Sequence, residues 1–139
     1  MSAKSISYDA VNVGDELPGL AIDVTTTVIV SGALATRDFT PVHHDKGAAQ
    51  AQGLNDVIMN TMTTNGFVSR FVTDWAGPNA IVQSIATKLG VPNYPGETMK
   101  MTGKVRAKND GVVDVAVVGT NSWGDHVTAT IRVALPRGA

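Results

Sequence analysis

The chain has 139 residues, enough for one domain with its own hydrophobic core. A net charge of -1, from 11 basic and 12 acidic residues, gives no electrostatic reason to expect nucleic acid or an anionic membrane surface. The absence of cysteine excludes disulfides, thiolate catalysis and cysteine zinc sites. With 43% hydrophobic and 17% charged residues the chain reads as globular, and its low charge suggests a surface covered by a partner. Residues 1–15 hold no apolar run suited to a signal peptide, and no stretch approaches the roughly 20 apolar residues of a membrane span, so a soluble, cytoplasmic protein is expected.

In chain order, residues 1–20 are polar and broken by Gly14, Pro18 and Gly19, and they read as an extended N-terminal arm. A strand is expected near Leu20–Val24. The run Thr26–Thr36 mixes β-branched residues with Ala33, Leu34 and Ala35, and is assigned to a short helix. From Asp56 to Thr73, Ile58, Met62, Phe67 and Phe71 recur at helical spacing, with Asn55 or Asp56 as N-cap. This predicts a long helix, apolar on most sides and buried, that stops before Trp75-Ala76-Gly77-Pro78. Asp74 and Trp75 are read as helix-end residues rather than pocket walls. Beyond Pro78 the period changes, and Ile81–Leu89, Thr98–Lys108, Val112–Thr120 and His126–Ala134 read as strands. Asn109-Asp110-Gly111 marks a hairpin, and Trp123-Gly124-Asp125 the next turn. One long helix wrapped by a curved antiparallel sheet gives an α+β fold in a single domain, residues 1–139.

The chemistry-bearing segment is Asp38-Phe39-Thr40-Pro41-Val42-His43-His44-Asp45. Asp38 and His43 are spaced wrongly for one helical face and for one strand face, so the chain must turn between them. Pro41 supplies the turn, fixing its own φ and disfavouring helix at Thr40. A carboxylate and an imidazole aimed at one point suit general acid–base work on water across a double bond. Taken singly, Asp38 is more often a cap and His43 a surface or satisfied core histidine. Asp45 is expected to cap the next helix or brace the loop. A metal site at His43, His44 and Asp45 is the competing reading, but the spacing matches no metal motif, and none is assigned. His126 reads as an exposed strand histidine.

These residues resemble the hydratase motif of MaoC-like (R)-specific enoyl-CoA hydratases, roughly Gly-Asp-x-Asn-Pro-(Ile/Leu/Val)-His-x-Asp. Asp38, Pro41, Val42, His43 and Asp45 match it, and Pro95-Gly96-Glu97-Thr98 is similar to the family's entry to a long strand. The resemblance implies the hotdog fold. The segments Ala35–Phe39, Val42–Asp45, Val72–Pro78 and Gly124–Thr130 resemble, more closely still, the small subunits of actinobacterial steroid side-chain hydratases. That likeness implies an acyl-CoA substrate carrying a steroid side chain, no cofactor, and a larger MaoC-like partner in an α2β2 heterotetramer. It implies catalysis by Asp38 and His43, motif support from Pro41 and Asp45, and an oxyanion or substrate contact at Asn60 and Thr61. Asn60-Thr61 stands where the family has His-Gly, Arg37 where it has Gly, and Thr40 where it has Asn. The CoA phosphates have candidate partners in Arg37, Lys88, Lys100, Lys104 and Arg106. The rival readings are a hotdog thioesterase, a non-catalytic subunit that completes a partner's site, and a homodimer acting on short enoyl-CoA.

Overall fold

The computed structural model describes residues 4–138. Five antiparallel strands form one sheet in the order β1-β3-β4-β5-β2. They are β1 (Glu16–Asp23), β2 (Ile81–Leu89), β3 (Thr98–Asn109), β4 (Val112–Asn121) and β5 (Gly124–Ala134), with α1 (Thr26–Ala35), α2 (Lys46–Ala51) and α3 (Thr61–Ala76) between β1 and β2. The period-two pattern of the strands puts Met99, Met101 and Val105 of β3, Val113, Val115 and Val117 of β4, and Val127, Ile131 and Val133 of β5 in the core. Val68, Phe71 and Val72 of α3 belong to the same core cluster. The helix lies close because Gly103 has no side chain: a Cβ there would stand 2.7 Å from Phe71 Cε1. This is the α+β helix-and-sheet arrangement expected. No helix among the described residues is long and apolar enough to cross a membrane.

Three expectations are corrected. The segment read as an extended arm holds a 3-10 turn at Tyr8–Ala10, and β1 already begins at Glu16. Pro18 and Gly19 do not end the strand; they fall where its register with β3 shifts, between Leu17 and Leu20, on a sheet edge that tolerates both. The described part of the arm before β1 is tied down by its own chain. Ile6 N–H donates to Ala76 O (2.9 Å) and Tyr8 N–H to Pro136 O (2.8 Å). Lys108 Nζ donates to Tyr8 O and Val11 O (2.9 and 2.6 Å) and lies 4.2 Å from the Tyr8 ring centroid.

The long helix, in turn, starts at Thr61 rather than at Asp56, and it runs on through Trp75 and Ala76. Its cap is Asn60, whose Oδ1 accepts from Thr63 N–H at 2.9 Å. Residues 57–60 stay outside the helix because tertiary partners claim their backbone: Ile58 N–H donates to Val42 O and Met59 N–H to Asn93 O. The helix is also amphipathic. Thr64, Val68, Phe71, Val72 and Ala76 are buried, while Met62 is exposed. Asp74 pairs with Arg70 one turn back, at 3.3 Å, as a helix-end residue.

Candidate active site

The turn expected at Pro41 is a single 3-10 turn over Pro41–His43 with proline at its start. It buries Val42 and His43 and leaves His44 and Asp45 outside. Asp45 caps α2, its Oδ1 accepting from Ala48 N–H at 3.0 Å. His43 and its two neighbours thus face different ways, and no cluster of three potential metal ligands occurs among the described residues.

Asp38 follows the end of α1, its N–H donating to Ala33 O at 2.9 Å. Its Oδ2 lies 3.2 Å from His43 Nε2. The Asp38 side chain is 31% exposed and that of His43 10%, so the pair sits at a surface opening. His43 Nδ1 lies 2.7 Å from Ile58 O. A carbonyl only accepts, so Nδ1 carries a proton, and in the neutral ring Nε2 is an acceptor. Neutral imidazole and carboxylate then offer two acceptors to one point, an arrangement that a water donating both of its protons fills. Once Nε2 is protonated, it donates to Asp38 instead. The pair therefore has two self-consistent proton states, as an acid–base device requires.

The remaining donors around Asp38 fix it as a carboxylate. Thr40 Oγ1 donates to Oδ1 at 2.7 Å, Asn60 Nδ2 to Oδ2 at 3.1 Å, and Thr40 N–H to Oδ1 at 3.2 Å. These bonds, that from the Thr40 hydroxyl foremost, hold its pKa down at about 2, with His43 adding a smaller lowering and burial opposing. Asn60 is buried and does two further things: it caps α3, and its Nδ2 donates to Thr36 Oγ1 at 2.8 Å. The resemblance implies an oxyanion or substrate contact at Asn60 and Thr61; the Asn60 amide is directed at Asp38 and Thr36. Thr61 opens α3, exposed, and neither its N–H nor that of Met62 donates to any acceptor among the described residues. The N-terminal end of α3 therefore presents free donors in the turn that follows Asn60.

His126 is not the exposed residue expected. It is 2% exposed, with Nδ1 2.7 Å from Val91 O and Nε2 2.9 Å from Thr64 Oγ1. Burial lowers its pKa, with the Val91 contact opposing, so the ring is neutral: Nδ1–H donates and Nε2 accepts the threonine hydroxyl. This buried link ties the first turn of α3 to the start of β5. The loop before β3 is pinned nearby. Asn93 Oδ1 accepts from Asn121 Nδ2 (2.8 Å), and Glu97 accepts from Ser122 N–H, its hydroxyl and Trp123 Nε1 (3.0, 2.7 and 3.1 Å). No sequence signal marks His126 as buried: alternation with Val127, Ala129 and Ile131 puts it on the outward face of β5.

Comparison with known proteins agrees with this geometry. Residues 11–129 match the model of the MaoC like domain. The chain is 52% identical over 123 residues, 88% of its length and 95% of the relative's, to the 3-oxo-4,17-pregnadiene-20-carboxyl-CoA hydratase beta subunit of Mycobacterium tuberculosis. It is similar to a chain of the ChsH1-ChsH2 complex from the same organism, with a TM-score of 0.88, 52% identity, and coverage of 89% of this chain and 98% of that one. The fold alone is shared with the R-hydratase PhaJ1 from Pseudomonas aeruginosa, at 20% identity and a TM-score of 0.88 over 99% of this chain and 89% of that one. Motif, architecture and sequence identity converge: the chain belongs to the MaoC-like domain family of hydratases and dehydratases.

Proposed function

We propose that this chain is the small subunit of an enoyl-CoA hydratase acting on a steroid side-chain thioester, and that it carries the catalytic pair itself. The observation that carries the reading is the Asp38–His43 geometry: Nδ1 is anchored on a carbonyl, while Nε2 and a firmly ionised carboxylate face one point 3.2 Å apart. Its identity with a hydratase beta subunit supports the choice of substrate class.

The two members divide the work. With a pKa of about 2, Asp38 is too weak a base to keep a proton near neutral pH, so it orients the water and balances the imidazolium. His43 Nε2 takes the proton as the water oxygen bonds to the β-carbon. The enolate formed at the α-carbon is then protonated, and the imidazolium is the group placed to return the proton. As charge builds on the thioester oxygen, the free N–H groups of Thr61 and Met62 are the donors for it. No resident cofactor is needed, because the thioester is itself the activated group.

The partner in this reading is a larger MaoC-like subunit, supported by the likeness to a chain of a two-component complex. Strand β2 offers the place for it. Among the described residues it pairs only with β5, at the margin of the sheet, and leaves Ile81 66% exposed with an unpaired backbone edge. The deciding experiment is hydration of a steroid enoyl-CoA, followed by loss of the conjugated thioester absorbance, with the chain alone and co-produced with the larger subunit. Activity that needs the partner and is lost in both Asp38→Asn and His43→Ala is the expected result. Activity that survives loss of both side chains makes this chain a scaffold, and release of free thiol makes it a thioesterase.

A further inference from the structure

Arg37 occupies a backbone conformation that suits glycine better. Its φ is +57°, at the position that follows the C-cap Thr36 of α1. Arg37 N–H donates to Leu34 O (3.0 Å) and Asp38 N–H to Ala33 O (2.9 Å), so the left-handed turn closes the helix. Glycine is the usual residue at such a stop, because a Cβ is crowded there. Among the described residues only Asp110 shares a positive φ without being glycine, and it sits in the Asn109-Asp110-Gly111 hairpin, where aspartate is a standard choice. Arg37 has no such local reason.

Its side chain is equally unaccounted for. Among the described residues Arg70, Arg132 and Arg137 each pair with an aspartate, whereas Arg37 and Arg106 do not, and of these two only Arg37 stands at a positive φ. The exposed Arg37 guanidinium makes no ion pair or hydrogen bond among the described residues. Asp38 next to it does not serve as partner, since its two oxygens already take donors from Thr40, Asn60 and His43. The neighbouring Leu34 and Phe39 are exposed and apolar, so they offer no competing carboxylate. A cation held at a strained position, one residue from the catalytic carboxylate and without an internal partner, is placed for an anion from solution.

We propose that Arg37 is a substrate-binding residue that pairs with a phosphate of the coenzyme A half of the thioester. A guanidinium suits this task because its planar donors match a phosphate two at a time. The identity of the anion rests on the hydratase reading; the free cation beside Asp38 does not. Arginine at a helix C-terminus also complements the helix dipole, but that role acts on stability and not on one half of a substrate.

The test uses the chain in complex with its larger subunit, as wild type, Arg37→Gly and Arg37→Lys. Binding of coenzyme A is measured by calorimetry, and KM and kcat for one enoyl group carried on coenzyme A and on pantetheine. Arg37→Gly is expected to weaken coenzyme A binding about tenfold to a hundredfold and to raise KM in step, with kcat nearly constant. Arg37→Lys should fall between. On the pantetheine thioester, which has no phosphate, the wild-type-to-variant ratio of kcat/KM should return to about one, and dephospho-coenzyme A tells the 3′-phosphate from the diphosphate. Equal coenzyme A binding by wild type and Arg37→Gly, or no binding by the wild type, overturns the assignment. Binding that depends on Arg37 without hydration would instead overturn the hydratase reading and leave Arg37 standing.

Discussion

Asn60→Asp separates two jobs of one side chain. Aspartate caps a helix about as well as asparagine, so Thr63 N–H keeps its acceptor, whereas Asn60→Ala loses the cap at about 1 kcal/mol. At the other end, the amide nitrogen 3.1 Å from Asp38 Oδ2 becomes a carboxylate oxygen. Asp38 then loses the second strongest of the contacts that hold its pKa at about 2, and a like charge takes its place. Two carboxylates at this distance do not both stay ionised, and the proton they share appears about 1–3 pH units above the wild-type titration. The sign follows from the mechanism. Protonation removes an acceptor from the water site, so activity falls as pH falls through the raised pKa and recovers above it. An added negative charge favours protonation of either member of the pair, so the acid limb moves upward whichever member fails first. The assay is kcat for enoyl-CoA hydration across the acid limb, with circular dichroism at each pH to establish that the protein is folded. An acid limb in Asn60→Asp that overlays the wild type, together with an Asn60→Ala limb that also overlays it, refutes the claim that Asn60 sets the state of Asp38.

His126 predicts a stability slope. Its pKa is lowered by burial, so below about pH 6.5 the unfolded chain takes up a proton that the folded chain refuses, and stability declines as pH falls from there. The lowered carboxylates Asp38, Asp56, Glu97 and Asp114 act only in more acid solution, so the slope of melting temperature between about pH 6.5 and 5 should shrink in His126→Gln; an unchanged slope refutes it. At the crossing of α1 and α3, a Cβ on Gly32 would collide with Thr63 Oγ1 and stand 2.8 Å from Thr63 Cγ2. Gly32→Ala should therefore cost about 1–3 kcal/mol, and Thr63→Ala should recover most of it in a double-mutant cycle read by denaturant melts. Lys108→Met removes the donor from Tyr8 O and Val11 O, and should cost about 1–3 kcal/mol with faster exchange of the Tyr8 amide; equal exchange would show that the clamp does not hold this segment.

What the sequence made legible follows from the range of the forces involved. Residues Ile81–Leu89 form β2 from the first to the last residue expected, and α1 differs from its expectation only at Thr36, because strand alternation and helix ends are local signals. Asp38 and His43 were found together because a proline turn is local too. The start of α3 was misplaced because Asn55 and Asp56 look like caps, whereas residues 57–60 are held out of the helix by bonds to Val42 and Asn93, far away in the chain. Asp56 spends its carboxylate on its neighbour's Val57 N–H and on Lys46 Nζ, 2.9 Å away. His126 was misread for the same reason: its partners, Thr64 and Val91, lie 62 and 35 residues away. Nothing in a one-dimensional pattern says that Asn60 reaches Asp38, since that contact exists only once α1 ends and α3 begins at the same place.

The strand order sets a timetable for the chain. β3, β4 and β5 are consecutive in sequence and adjacent in the sheet, so two hairpins assemble them with little loop to close. β1 and β2 are made earlier but are stitched on at opposite margins. β2 in particular has to wait for β5, which is made after it, and until then it stands as an unmated, β-prone ribbon beside a half-roofed α3. Even after β5 arrives, one side of that ribbon stays bare. Docking of a second subunit there would be the closing stitch of the same sheet, so that a shortage of partner during synthesis would register as poor folding yield before it registered as lost activity.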